Sequence, residues 1–155
     1  MALNDIGNVA LLSIHPKYAD AILDGNKGVE FRKTVFRKKV QFCAIYSTSP
    51  EQKIIGVFEI EKIERNSPEE LWRKYHKSGS IQLADFKEYY SNRNEGFAII
   101  IKNAWRFDQP IPKKEFDHLI PIPQNFLYLE DDIFEKYKHT VLRQILLSNA
   151  KSYWA

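Results

Sequence analysis

Residues 11–33, LLSIHPKYADAILDGNKGVEFRK, constrain the fold more than any other stretch of the chain. They read as a short apolar strand, a helix, a glycine turn and a second strand. Leu11, Leu12 and Ile14 form the apolar run. Pro16 stands where a first helical residue tolerates proline, because its missing N–H would have had no intrahelical acceptor. Tyr18/Ile22 and Ala19/Leu23 lie four apart and share a helix face. Gly25 after Asp24 supplies a left-handed stop that a residue with a Cβ resists. The chain then turns at Asn26-Lys27-Gly28 into a strand whose alternate side chains oppose one another. Val29 and Phe31 are assigned to the core, and Glu30 and Arg32 to the open side, with Lys27 at the entrance. Such a group either holds an anion or is a surface ion pair worth roughly 0–1 kcal/mol.

The rest of the chain adds strands and short helices. Residues 1–8 are polar and are expected to fray. Val40–Tyr46 is a strand ending in the hydroxyl-rich turn Ser47-Thr48-Ser49-Pro50. Lys53–Ile63 alternates from Val57 onward, which puts Phe58 and Ile60 on the core face. Gly56 inside it marks a bulge or a close backbone approach. Ser67-Pro68-Glu69-Glu70 has the pattern of a capping box opening a helix with Leu71, Trp72 and Tyr75 on its apolar stripe. Ser78-Gly79-Ser80 breaks that helix, and Gln82–Tyr90 forms another. Glu95–Lys102 is apolar enough for both faces to be buried, and it continues through Trp105 to Phe107. Four prolines between 109 and 124 predict an ordered coil over 109–130 rather than sheet. Glu130–Asn149 carries a helical stripe expected to pack on the same domain.

Charge distribution is more informative than the net value of +3. Lys27, Arg32, Lys33, Arg37, Lys38 and Lys39 crowd one stretch against a single acid, Glu30, whereas 59–70 is acidic. A local basic patch flanked by aromatics suits a short or single anionic ligand better than a long duplex. Cys43 stands alone, which excludes a disulfide framework or a cysteine metal site. The four histidines show no metal-ligand spacing, and there is no phosphate loop or nucleophile elbow. His15 sits at the end of the first strand and is either a polar cap or a cleft residue. No cofactor is expected. Neither a leader nor a membrane-length apolar run is visible, so a cytoplasmic protein with no membrane partner is expected.

Three stretches together resemble the ASCH domain family of the PUA-like superfamily. They are the opening unit with Pro-Lys-Tyr-Ala and Gly25-Asn26-Lys27-Gly28-Val29-Glu30-Phe31-Arg32; the tyrosine–hydroxyl turn with Ile55-Gly56-Val57-Phe58-Glu59; and the closing strand into Trp105-Arg106. The family pattern has glycine, any residue, lysine, two residues, threonine or glutamate, one residue and arginine. The resemblance implies an α+β fold, a small mixed PUA-like β-barrel with short inserted helices and a C-terminal helix. It places the domain at 9–108, with 109–155 as a Pro-rich wrap and helix. One branch of the family is similar to amidohydrolases of N4-acetylcytidine that use a lysine, a threonine and a helix glutamate. Lys27 matches the lysine, Glu30 replaces the threonine, and no acid occupies Ser78–Ser80.

The expected function is binding of single-stranded RNA or one nucleotide, including a modified base, in a basic cleft. Lys27, Arg32 and Lys53 would contact phosphate, Ser47 and Ser49 would donate hydrogen bonds, and Trp105 or Tyr46 would stack on a base, with Trp72 and Phe31 as further rings. Glu30 would orient Arg32. The alternative is a hydrolase, an RNA nuclease or amidohydrolase, using Lys27 and Glu30. A third reading is an interaction module built on the tail.

Overall fold

A computed structural model describes residues 8–116 and 121–129, together with Arg143. In chain order the elements are β1 (Asn8–Ile14), α1 (Pro16–Leu23), β2 (Val29–Arg32), β3 (Val40–Ser47) and β4 (Lys53–Asn66). They continue with α2 (Pro68–Gly79), α3 (Leu83–Tyr89), β5 (Gly96–Pro112), α4 (Lys113–Phe116) and β6 (Phe126–Leu129). The six strands form one mixed sheet in the order β2-β5-β4-β3-β1-β6. β1 runs parallel to β3, and the other pairings are antiparallel.

The α+β class stands, but the barrel does not close. β2 and β6 are the two edges of the sheet, and no backbone ladder joins them among the described strands. A side chain spans the gap instead, because Arg32 at the end of β2 reaches Ser13 on β1 and Asn125 ahead of β6. The Pro-rich segment also departs from expectation. Residues 109–112 belong to β5, and Phe126–Leu129 pairs with Val9–Leu12 as an edge strand. Prolines are tolerated in strands at edges and ends, and this segment takes up just those positions. The helix expected over 130–149 lies outside the described residues, Arg143 excepted.

Both faces of the sheet are covered. Val9, Leu11, Phe42, Ala44, Tyr46 and Val57 pack on one side with Phe116 of α4. Ala10, Leu12, Ile14, Cys43, Ile45 and Phe58 pack on the other with Ala19 and Ile22 of α1. Val57 and Phe58 are therefore both 0% exposed, where alternation alone predicted one solvated face. A third cluster seats α2 and α3 on the outer half of β5, joining Val29, Phe31 and Ala98 to Leu71, Phe86 and Tyr90. Fully burying one such side chain contributes about 1.5–3 kcal/mol. Gly56 is a close approach, since a Cβ there would sit 2.6 Å from both Leu23 Cδ2 and the Trp105 carbonyl. Arg106 holds the outside of α1, reaching Asp20 at 3.3 Å and Asp24 at 3.0 Å. Among the described residues no helix is long and apolar enough to cross a membrane.

Ser67 caps α2 as its pattern requires, accepting the Glu70 N–H at 3.2 Å. The reciprocal half of the box is absent, because the Glu70 carboxylate binds Arg73 and the Ser67 N–H donates to Asn66 Oδ1. One polar knot ties α2 to the end of β4. Glu64 accepts from Tyr75 Oη at 2.6 Å, Lys74 Nζ at 2.9 Å and Asn66 Nδ2 at 3.2 Å. The Tyr75 hydroxyl, and then Lys74, hold the Glu64 carboxyl down to about 2, and Tyr75 is pushed up to about 12. An unfolded glutamate loses its proton near 4.5, so this contribution is complete above that pH and disappears as pH falls from there towards 2. Lys74 is partly open to solvent, which screens the pair. Glu64→Gln should thus lower unfolding free energy at pH 7 by about 1 kcal/mol. Urea denaturation should show the gap to wild type closing as pH falls from 4.5 towards 2.

Candidate nucleotide-binding cleft

β1 ends at Ile14, and the chain turns directly into α1. His15 caps the helix, its Nδ1 accepting the Lys17 N–H at 3.3 Å, and its ring remains exposed. After α1 the left-handed Gly25 (φ 83°) releases the 26–28 turn. The C-terminal end of α2 grips that turn. Gly28 N–H donates to the Ser78 carbonyl at 2.8 Å, and Ser80 Oγ donates to the Asn26 carbonyl at 2.7 Å. Lys27 Nζ donates to the Gly79 carbonyl. Only glycine fits there, since a Cβ on Gly79 would lie 2.3 Å from Phe31 Cε2.

β2 then separates its faces as alternation predicts. Val29 and Phe31 enter the helix-covered cluster, and Glu30 and Arg32 turn to the other side. That side is a cleft rather than open surface, with Lys27 only 3% exposed and Glu30 8%. Glu30 lies 3.9 Å from Lys27 Nζ and 3.6 Å from Arg32 Nη2. Those are ion-pair distances, longer than hydrogen bonds. The Arg32 hydrogen bonds go elsewhere, Nη1 to Asn125 Oδ1 at 2.8 Å and Nη2 to the Ser13 carbonyl at 3.0 Å. Asn125 in turn donates to Thr34 Oγ1 at 2.7 Å. Arg32 Nε and Ser47 Oγ are buried side-chain polar atoms without a hydrogen-bond partner among the described residues. Lys27 Nζ lies 5.2 Å from the Tyr18 ring centroid and 5.6 Å from that of Phe31. Burial pushes the Lys27 pKa down; the Glu30 charge opposes the shift and Arg32 adds to it. Burial likewise raises Tyr89, with Glu30 reinforcing and Arg32 opposing.

The resulting cavity is about 150 Å³. Its polar floor is Lys27, Glu30 and Arg32, and Tyr18, Ile81 and Tyr89 are among its apolar walls, with His15 also on the lining. Tyr18, Ile81 and Tyr89 were not singled out as site residues by the sequence. Tyr18 carried only a helical-periodicity signal. Tyr89 is brought in by α3, where its hydroxyl accepts the Lys33 N–H and its ring lies under Lys33 Nζ.

Of the further rings proposed from sequence, Phe31 lines this cavity and Trp72 does not, and the remaining proposed residues sit outside it. Tyr46 is 2% exposed and meets Phe116 edge-on in the core. Trp105 packs on that same core beside Phe42. Ser47 is fully buried and pairs with Ile14 across the β1–β3 ladder, one strand away from the cleft. Ser49 and Lys53 are exposed. Among the described residues, no group of three or more histidine, cysteine or acidic side chains is placed to hold a metal ion.

Comparison with known proteins fits this geometry into a family. A family model described as the ASCH domain matches residues 12–111. An ASCH domain-containing ribonuclease of Zymomonas mobilis is 28% identical over 118 residues, covering 76% of this chain and 77% of that protein. The large ribosomal subunit protein uL22 of Ureaplasma parvum is 31% identical over 121 residues, 77% of this chain but 39% of that protein. The chain thus spans about two fifths of the length of that curated relative. The crystal structure of ASCH from Zymomonas mobilis has a TM-score of 0.77 at 23% identity, covering 83% of this chain and 92% of the other. At that identity the likeness establishes the fold.

The Gly79–Phe31 approach makes a direct test of how the cleft is held. Gly79→Ala should destabilise the chain by about 1–3 kcal/mol, as overpacking does. Urea denaturation measures this, and wild-type stability in the variant would mean that α2 and β2 are not fixed against each other.

Proposed function

The chain belongs to the ASCH domain family, and from that premise we propose that it binds one nucleotide unit of single-stranded RNA, with the base in the Lys27–Glu30–Arg32 cleft. The observation that carries this reading is the placing of three charged groups at the floor of a small, partly aromatic cavity. A cavity of about 150 Å³ takes a planar ring rather than a polymer. Glu30 accepts from ring or amino N–H groups, and Lys27 and Arg32 donate to a carbonyl oxygen. Tyr18 and Tyr89 offer apolar rings, and stacking one base on an aromatic ring contributes roughly 1–3 kcal/mol. The phosphate stays at the mouth, beside His15 and Lys33. This reassigns Lys27 and Arg32 from phosphate contacts to base-edge contacts, because both are too deep for a backbone that remains in solvent. A cytoplasmic setting, where single-stranded RNA is abundant, belongs to the same proposal.

A second reading, hydrolysis of RNA, draws on the lowered Lys27 pKa and on the relative named as a ribonuclease. It has to overcome the acceptors around Lys27. The Gly79 carbonyl and the Glu30 carboxylate both favour the ammonium, whereas a general base must be neutral.

Calorimetry with 5′-mononucleotides, alongside incubation of labelled single-stranded RNA, separates the two readings. We expect mononucleotide binding that weakens by roughly tenfold or less, about 1.4 kcal/mol, in Glu30→Gln. We also expect RNA that stays intact over hours. Metal-independent cleavage that is lost in Lys27→Ala but kept in Lys62→Ala would make the chain a nuclease. Abolished turnover in Glu30→Gln with unchanged binding would make Glu30 the proton carrier.

A further inference from the structure

α3 presents two faces to two different cavities. Tyr89 lines the Lys27 cleft, whereas Leu83, Phe86 and Lys87, with Tyr90 just beyond the helix, line a groove against Trp72 and Glu69 of α2, with Arg93 beside them. The groove encloses about 260 Å³, more than the cleft. Leu83 is 42% exposed on it. Trp72 is half-buried, with its ring 5.1 Å from Phe86 and stacked on His76 at 5.3 Å. Lys87 and Arg93 are exposed, and neither side chain has an ion-pair partner among the described residues.

One half-exposed ring, Trp72, over a floor of buried Phe86 and Tyr90 and beside two exposed cations, is the chemistry that recognises a base and its phosphate. An acidic peptide with an apolar anchor would also meet the cations, but its carboxylates and its anchor give Glu69 no donor. A base turns Glu69 to use as an acceptor for an exocyclic amine. We infer that this groove is a second base subsite for the same single-stranded RNA. The strand places one base in the Lys27 cleft, crosses α3 and lays a later base against Trp72, with Lys87 and Arg93 on the phosphates. The inference rests on the cleft reading above. A helix is about 10 Å across, so a few nucleotides bridge the two sites and a single nucleotide reaches only one.

The test compares a 5′-mononucleotide with a ten-nucleotide single-stranded RNA on wild type, Trp72→Ala and the double variant Lys87→Gln/Arg93→Gln. Trp72→Ala should bind the decamer roughly tenfold more weakly and the mononucleotide as wild type does. The double variant changes exposed side chains only and leaves the core untouched. Its decamer affinity should fall, with the salt slope reduced by about one to two. Equal losses for both ligands, or decamer binding that ignores both variants while mononucleotide binding persists, would overturn the groove and leave the cleft standing. Wild type that binds neither ligand would sink the cleft and the groove together. An acidic aromatic peptide that binds wild type but not the double variant, with RNA indifferent, would assign the groove to a protein partner.

Discussion

Three charges, Lys27 in a turn and Glu30 and Arg32 on the short edge strand that follows, sit largely out of water and set the terms for everything around them. An unpaired ion taken out of water costs several kcal/mol, and attraction to a neighbour offsets this only when further polar contacts complete each group. Lys27 and Arg32 obtain those contacts from segments far apart in sequence, and Glu30 lies at ion-pair distance between the two cations. Gly79 at the end of α2, Ser13 on β1 and Asn125 before β6 each contribute an oxygen. The charges therefore act as fasteners as well as a potential binding surface. β2 is only four residues long and ladders to β5 alone. Without Arg32 its free edge would have, among the described residues, no hydrogen-bonded link to the opposite end of the sheet.

That arrangement explains why the sheet stays open yet still encloses a cleft. A continuous backbone ladder between the edges β2 and β6 would fill the space that Arg32 now spans. The side-chain bridge keeps the edges close and leaves room beside them for Tyr18, Ile81 and Tyr89 to wall a cavity. The same economy operates at Gly79, where the missing Cβ brings a helix carbonyl to Lys27 and the Phe31 ring against the helix end. Carbonyls at a helix C-terminus carry partial negative charge and favour a cation there.

What the sequence revealed follows the range of the physics involved. The α1 cap region, the Gly25 stop, the Ser67 cap and the split of Glu30/Arg32 from Val29/Phe31 are local, and all four appear in the structure. Alternation could not show that Val57 as well as Phe58 is covered, because the cover comes from α4 and from strands distant in sequence. Prolines at 110, 112, 121 and 123 read as coil; whether nearby residues find an unpaired strand edge is a non-local matter. The site shows the same divide. Lys27, Glu30 and Arg32 were legible because a turn and one strand present them. Tyr89 was not, since nothing in its own neighbourhood indicates that α3 brings it to the cleft. Tyr46 and Trp105 looked like stacking rings from composition, and burial turned them to core packing.

The partner of Lys27 bears on what kind of chemistry the cleft supports. Proton transfer needs groups that alternate between protonation states within reach of a substrate. At the 78–80 bend, where the amidohydrolase pattern would supply a carboxylate, this chain offers the Gly79 carbonyl, which accepts a hydrogen bond but carries no exchangeable proton. Among the described residues Glu30 is the only carboxylate on the cavity lining, and it lies between two cations, 3.9 Å from Lys27 Nζ and 3.6 Å from Arg32 Nη2. A lysine beside a fixed carbonyl dipole and a carboxylate set between two cations form a fixed arrangement of donors and acceptors. Under the binding proposed above, such a pair would distinguish ligands by the pattern of donors and acceptors they present. Burial works against the Lys27 charge, so the balance between desolvation and the Gly79 and Glu30 oxygens decides between recognition and catalysis. Of the two acceptors, the carbonyl is unaffected by pH, so its hydrogen bond supports the Lys27 ammonium at every pH while burial opposes that charge.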